Sequence, residues 1–202
     1  MKPTRTFSQL GQDLVIRNRF KRDDFSKWYC VDVGCHHPID FNNTYLFYEL
    51  GARVLNIDPN SEFEALYKRF RGADSFCCSA IAEEEGDAKY YRYAKSQWNG
   101  LAENVNQKKH LLGVETLKVS RLESILSAQG APKVIDFLSI DTEGFELSVL
   151  RSFSFSEYSV RCICLESRMS VEKHLKHPVH QYLKSGFRLF AHNGHDAFYI
   201  AR

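Results

Sequence analysis

Residues 28–58 read WYCVDVGCHHPIDFNNTYLFYELGARVLNID: an apolar run ending in Asp-Val-Gly, a helix-like stretch, then a second apolar run ending in an acid. That order predicts the first β-α-β unit of a nucleotide-binding α/β sheet. Trp28 to Val33 has the pattern of a buried strand. Gly34 stands where a strand must turn sharply without a Cβ obstructing a ligand. Asp58, 24 residues beyond Gly34, closes the second strand, and a carboxylate there can accept hydrogen bonds from the two vicinal hydroxyls of a ribose. The G-x-G-x-x-G of a dinucleotide site is missing, because Gly34 is followed by Cys35, His36, His37 and Pro38. A pyrophosphate therefore has no prepared cradle at the next helix N-terminus. The unit favours a nucleoside ligand lacking pyrophosphate, such as S-adenosylmethionine, over NAD; the competing reading is a buried strand with a structural glycine.

Beyond this unit, strand patterns at 30–33, 53–58, 76–79, 134–141 and 160–166 alternate with helical ones at 43–50, 61–70, 122–129, 144–153 and 171–185, after an N-terminal helix at 8–20. Alternation of this kind predicts a mainly parallel sheet covered by helices on both faces. The chain ends differently, in two strand patterns at 188–192 and 197–201 joined by Asn193-Gly194-His195-Asp196, a hairpin signal. The expected fold is an α/β, Rossmann-like class I methyltransferase fold, a mainly parallel sheet closed by a C-terminal antiparallel hairpin. A single domain spans 1–202, with an N-terminal helical segment at 1–27 and an insertion at 86–119. The insertion carries two strand patterns, 88–93 and 115–119, around Ser96-Gln97-Trp98-Asn99-Gly100-Leu101, which has the content of a substrate loop or of a surface excursion anchored by one Trp.

Composition narrows the function. The 202 residues are 44% hydrophobic and 26% charged with a net charge of +2, which suits one full core and leaves no basic footprint for nucleic acid. Lys108, Lys109 and His110 read as a solvated loop. No stretch approaches the roughly 20 apolar residues of a membrane span, and the N-terminus lacks a signal-peptide core, so a cytoplasmic protein with no membrane partner is expected. Of the six cysteines, Cys30, Cys162 and Cys164 fall within strand patterns and Cys77 and Cys78 are adjacent, so they read as buried thiols rather than disulfides or zinc ligands. Cys35, beside Gly34, is the one expected to face a ligand.

The stretch LSIDTEGFELSVLRS, 138–152, is the second strong signal. Asp141 ends a strand, Gly144 opens a tight turn, and Phe145, Val149 and Leu150 recur at helical spacing. Asp141 and Glu143 thereby project toward the carboxyl end of the sheet, where ligands bind. A plainer account has Thr142 capping the helix and the acids complementing its dipole.

Taken in order, Ser8-Gln9 with Gly11-Gln12-Asp13, Val31-Asp32-Val33-Gly34, Asn42-Asn43-Thr44-Tyr45, Asn56-Ile57-Asp58-Pro59 and Ser139-Ile140-Asp141-Thr142-Glu143-Gly144 resemble the landmarks of the FkbM-type methyltransferases. The Cys35-His36-His37-Pro38 run resembles a His-His-Pro branch of that family. The resemblance implies an S-adenosylmethionine-dependent O-methyltransferase, yielding S-adenosylhomocysteine and acting on a hydroxyl of a sugar, glycan or related metabolite. It also implies roles: Asp32 and Gly34 toward the methionine side of the cofactor, Asp58 on the ribose, Ser79, Ala80 and Ile81 against the adenine, and Asp141 facing the sulfonium and acceptor, with Cys35 counted among the cofactor-binding residues. Gln9, Gln12 and Asp13 belong to a segment that closes over the cofactor.

A hydroxyl is a weak nucleophile at neutral pH, so a general base is expected. The candidates are Asp141, His36, His37 and Glu143, with His192 and His195 in the hairpin. Magnesium held by Asp141, Glu143 and Glu166 is weighed and not favoured. His174, His177 and His180, interrupted by Pro178, read as a solvated helix face. The acceptor is expected to be a small molecule or glycan, and the oligomeric state stays open. The alternatives are a non-catalytic cofactor-binding module of the same fold and, disfavoured by the absent glycine fingerprint, an NAD-dependent oxidoreductase.

Overall fold

A computed structural model describes residues 5–202; the first four residues of the N-terminal segment, and with them part of the stretch read as lacking a signal peptide, lie outside the described residues. The strands are β1 (Tyr29–Val33), β2 (Arg53–Asp58), β3 (Ser75–Cys78), β4 (Ala80–Ile81), β5 (Gly86–Tyr93), β6 (Leu111–Ser120), β7 (Val134–Ile140), β8 (Ser159–Glu166), β9 (Phe187–His192) and β10 (Asp196–Ala201). The helices are α1 (Gln12–Arg19), α2 (Tyr45–Glu49), α3 (Glu62–Phe70), α4 (Leu122–Ala128), α5 (Glu146–Arg151), α6 (Val171–His174) and α7 (Pro178–Leu183).

Among the described residues, seven strands form one sheet in the order β3-β2-β1-β7-β8-β10-β9. β3, β2, β1, β7 and β8 run parallel, and β10 is antiparallel to both of its neighbours. β1, β2, β7 and β8 are largely buried, which is why they read as continuous apolar runs, whereas the edge strand β3 is part-exposed. Their alternate residues feed two cores. Val31, Val33, Leu138, Ile140 and Ile163 pack under α4 and α5, whereas Cys30, Phe137, Cys162, Cys164 and Phe198 pack with Ile16, Trp28 and Phe47 on the other side. Each such side chain, fully withdrawn from water, stabilises the fold by about 1.5–3 kcal/mol. Cys30, Cys162 and Cys164 thus act as small apolar core residues.

The insertion folds as the antiparallel pair β5 and β6, with β4 parallel to β6 in a separate three-stranded sheet. No helix among the described residues is long and apolar enough to cross a membrane.

Two expectations are corrected. The single helix at 171–185 is two short ones, because Pro178 opens α7 and the His177 side chain accepts a hydrogen bond from the Val179 N–H. The histidines here are not a solvated face. His174 is 1% exposed, its Nδ1 lies 2.7 Å from Ser167 Oγ, its Nε2 lies 2.6 Å from Tyr199 Oη, and His180 Nδ1 lies 2.9 Å from the same hydroxyl. The break between α6 and α7 turns His174 and His180 toward one buried tyrosine of β10, and burial lowers the His174 pKa to about 4, keeping it neutral.

Candidate active site

A cavity of about 490 Å³ opens at the carboxyl ends of β1, β2 and β7 and is covered by residues 95–101 of the insertion. It lies where the strand order reverses between β1 and β7, the point at which open α/β sheets bind ligands. Its size falls in the range of small-molecule and cofactor sites.

Gly34 sits at the base of the cavity with φ 79°. Its N–H and that of Cys35 both donate to the Ile57 carbonyl, at 2.9 and 3.2 Å. A Cβ on Gly34 would lie 1.8 Å from the Asp141 carbonyl oxygen. The glycine is required first by the closure of β1 against the end of β7, and only then by access for a ligand.

Asp58, at the end of β2, accepts hydrogen bonds from the His36 N–H to Oδ2 and the Asn60 N–H to Oδ1, each at 2.9 Å. Each oxygen keeps a lone pair for a further donor. Burial raises its pKa to about 6, against the lowering effect of those two N–H groups. The His36 ring stands edge-on to Phe63 with centroids 4.6 Å apart, and its Nε2 reaches Ser96 Oγ at 2.8 Å, tying the loop after β1 to the insertion. Its Nδ1 is buried without a partner, and burial lowers its pKa to about 4. His36 is therefore a neutral, weakly basic ring near pH 7.

On the far side, one oxygen from each of Asp141, Glu143 and Glu166 lies within 4.8 Å of the others. Arg168 supplies the countercharge. Its guanidinium donates to Glu143 at 2.8 and 3.1 Å and lies 2.6 Å from Glu166 Oε1. Even so, burial followed by the repulsion of neighbouring acids raises Asp141 to about 8 and raises Glu166 as well. The turn after Asp141 is held from behind: Glu146 Oε1 accepts from the Thr142 N–H, the Thr142 hydroxyl and the Gly144 N–H. The capping thus runs opposite to expectation, with Glu146 reaching back rather than Thr142 reaching forward.

Of the residues singled out from sequence, Gly34, His36, Asp58, Ser79, Ala80, Ile81, Asp141, Glu143, Gln9 and Gln12 line the cavity. Three do not. Asp32 is 2% exposed and accepts from Thr44 Oγ1 at 2.9 Å, so it braces the start of α2. Cys35 is buried against Phe63 and Tyr67, with its thiol pKa raised by burial. The reversal of the chain at Gly34 turns it inward. His37 Nδ1 accepts from the Ile39 and Asp40 N–H groups, closing a turn. Asp13 is buried beneath the N-terminal segment, accepting from Thr6 and the Phe7 N–H. His192 bonds Ser167, while His195 sits behind Arg168 at 3.3 Å. Phe41, Asn60, Phe63, Tyr90 and Arg168 also line it. Phe63 and Arg168 carry a readable signal, since they stand in the first turn after Asp58 and two residues past the end of β8.

This strand order, with its reversed last pair and a cavity at the switch point, defines a Rossmann-like methyltransferase fold. The chain belongs to the methyltransferase FkbM family, whose domain matches residues 32–193. No curated protein matches the chain.

Proposed function

We propose that the protein transfers a methyl group from S-adenosylmethionine to a hydroxyl of a sugar, glycan or related metabolite, releasing S-adenosylhomocysteine. The observation that carries this reading is that Asp58 and Asp141 open onto one cavity from opposite sides. Asp58 meets the ribose requirement with two free lone pairs, Phe63 and the Ser79 to Ile81 backbone offer a flat site for adenine, and no cradle is built for a pyrophosphate. The acids around Asp141 suit a ligand carrying a sulfonium and an ammonium. When bound, S-adenosylmethionine supplies an electrophilic methyl carbon on a positive sulfur. The chain's own task is to align the acceptor oxygen, exclude water and take a proton.

Asp141 is the base in this scheme. Its raised pKa makes it a stronger proton acceptor than an ordinary carboxylate, whereas His36 is too weakly basic and His37 lies outside the cavity. A cytoplasmic setting, where the cofactor is available, belongs to the same reading.

Calorimetric titration with S-adenosylhomocysteine tests the cofactor assignment. Asp58→Ala is expected to weaken binding by about 10–100-fold, the loss of charge-assisted hydrogen bonds; unchanged affinity in the folded variant overturns the ribose role. Asp141→Asn is expected to lower kcat by about 100-fold or more. In the wild type, kcat/KM should rise with pH up to about 8 as Asp141 loses its proton, and level above that. A rising limb that persists in Asp141→Asn assigns the base elsewhere.

A further inference from the structure

Among the described residues, the non-glycine residues with positive φ are His36 at 49°, Phe41 at 57° and Glu143 at 51°, and all three line the cavity. Two have evident reasons. His36 presents its N–H to Asp58, and Glu143 is held by Arg168. Phe41 has no such reason. Its ring is 60% exposed, more than any other aromatic side chain described, and it meets no other ring or cation. A bulky residue in the left-handed region is strained, and such strain persists only where the surroundings over-determine it.

The surroundings here do so. Next to Phe41, Asn42 is 1% exposed and clamped on every side. Its N–H donates to the Phe7 carbonyl at 3.1 Å, its Nδ2 to the Cys35 carbonyl and Tyr67 Oη at 3.1 Å, and its Oδ1 accepts from the Thr44 N–H at 3.0 Å and Arg71 at 3.1 Å. On the other side, His37 Nδ1 fixes Asp40 through its N–H at 3.0 Å. The chain between these anchors holds an apolar ring at the mouth of the cavity, in water, at a conformational cost. Among the described residues no ring or cation contact ties that side chain to the fold.

We propose that Phe41 is a specificity-determining residue for the acceptor, stacking on the C–H face of a saturated, hydroxylated ring such as a pyranoside. Resting on the methyltransferase reading above, it names how that acceptor is held. Gln9 and Gln97 line the same cavity, and their side-chain amides have no partner among the described residues. An amide presents a donor and an acceptor side by side, which suits vicinal hydroxyls, while an aromatic face covers the apolar side of the same ring. An exposed aromatic and two unpartnered neutral amides on one cavity, whose cations Arg168 and Lys95 are engaged by Glu143, Glu166 and the Trp98 ring, favour an uncharged polyol ring over an anionic acceptor.

The test compares wild type, Phe41→Gly and Phe41→Tyr by thermal unfolding and by titration with S-adenosylhomocysteine. Binding of methyl pyranosides, sorbitol and simple phenols is followed by ligand-observed NMR, with and without S-adenosylhomocysteine. Phe41→Gly should keep cofactor-product affinity within twofold and raise the unfolding midpoint by about 2–4 °C, because glycine adopts positive φ without strain. It should weaken pyranoside binding about tenfold, with Phe41→Tyr retaining it. A lowered midpoint in Phe41→Gly, equal pyranoside binding by all three proteins, wild type that binds no pyranoside, or preference for phenols or sorbitol each overturns the proposal. Failure of wild type to bind S-adenosylhomocysteine counts against the methyltransferase reading instead, and the titrations without it still decide the role of Phe41.

Discussion

Replacing Arg71 by Met is expected to cost the fold about 3–5 kcal/mol, the penalty for breaking a buried ion pair from one side. Arg71 is fully buried at 0% exposure, and the Asp74 side chain it pairs with at 2.8 Å is 1% exposed. The same guanidinium donates to Asn42 Oδ1 at 3.1 Å and Thr44 Oγ1 at 3.2 Å. It also stacks over Tyr45, Tyr48 and Tyr67. Thr44 in turn donates to Asp32, so one cation joins α3, the start of α2 and the middle of β1.

Methionine fills much of the volume but removes the donors to Asp74 Oδ2 and Thr44 Oγ1, leaving Asp74 with the Val54 N–H and Asn42 Oδ1 with Thr44. Burial already raises the Asp74 pKa despite Arg71, and removing the cation raises it further. A carboxyl whose folded pKa exceeds its unfolded one binds its proton in the folded state, so stability is lost as pH rises through the folded value. Urea denaturation should therefore show a larger deficit for Arg71→Met at pH 8 than at pH 5, and Arg71→Met with Asp74→Asn should recover part of it. A midpoint within about 2 °C of wild type at pH 8, less than 1 kcal/mol for a chain of this size, would mean that the cluster carries no net stability.

The contrast between Arg71 and Asp58 explains what could be read from the chain. Asp58 was legible because a buried parallel strand is a continuous apolar run, and an acid at its end has few reasons to be there other than a ligand. The same logic located Asp141, whereas the turn residues 193–196 marked the closing hairpin and residues 79–81 came only with the family resemblance. Arg71 was invisible because its partners Thr44 and Asn42 are 27 and 29 residues away, and neither periodicity nor spacing encodes such a meeting. Asp32 looked like a ligand residue for the same reason in reverse, since its neutralising neighbours are brought by the fold.

Local geometry accounts for the other differences. Cys35 was placed by its position beside Gly34, but a left-handed residue resets the direction of every side chain after it. His174 was read as part of a solvated face interrupted by Pro178, whereas that same break turns it and His180 onto the buried Tyr199 hydroxyl. Phe41 offers no pattern at all. Its significance lies in a backbone angle and an exposure, quantities that exist only once the chain is folded.

Replacing Gly34 by Ala is expected to destabilise the protein by about 3 kcal/mol or more, combining the left-handed penalty with overpacking against a rigid neighbour. The atom in the way is the Asp141 carbonyl oxygen, 1.8 Å from the new Cβ, with its carbon at 2.8 Å. A flexible side chain at that point would swing aside. A carbonyl at the end of a central strand is fixed by its own peptide and by the Asp141 N–H donating to Val33 at 2.9 Å. Relief requires β1 and β7 to part at their carboxyl ends, which moves Asp141 away from Asp58 and opens the cavity at its base. Stability and cofactor binding should therefore fail together: a midpoint lowered by about 6 °C or more with loss of S-adenosylhomocysteine binding in whatever fraction folds. Gly51→Ala is the control, since Gly51 also has positive φ, at 93°, but its Cβ would meet Ser26 Cβ at 3.1 Å, far from the cavity. It should lose stability and keep cofactor affinity. Equal behaviour of the two variants would show that the left-handed angle, and not the contact with Asp141, is what demands glycine at position 34.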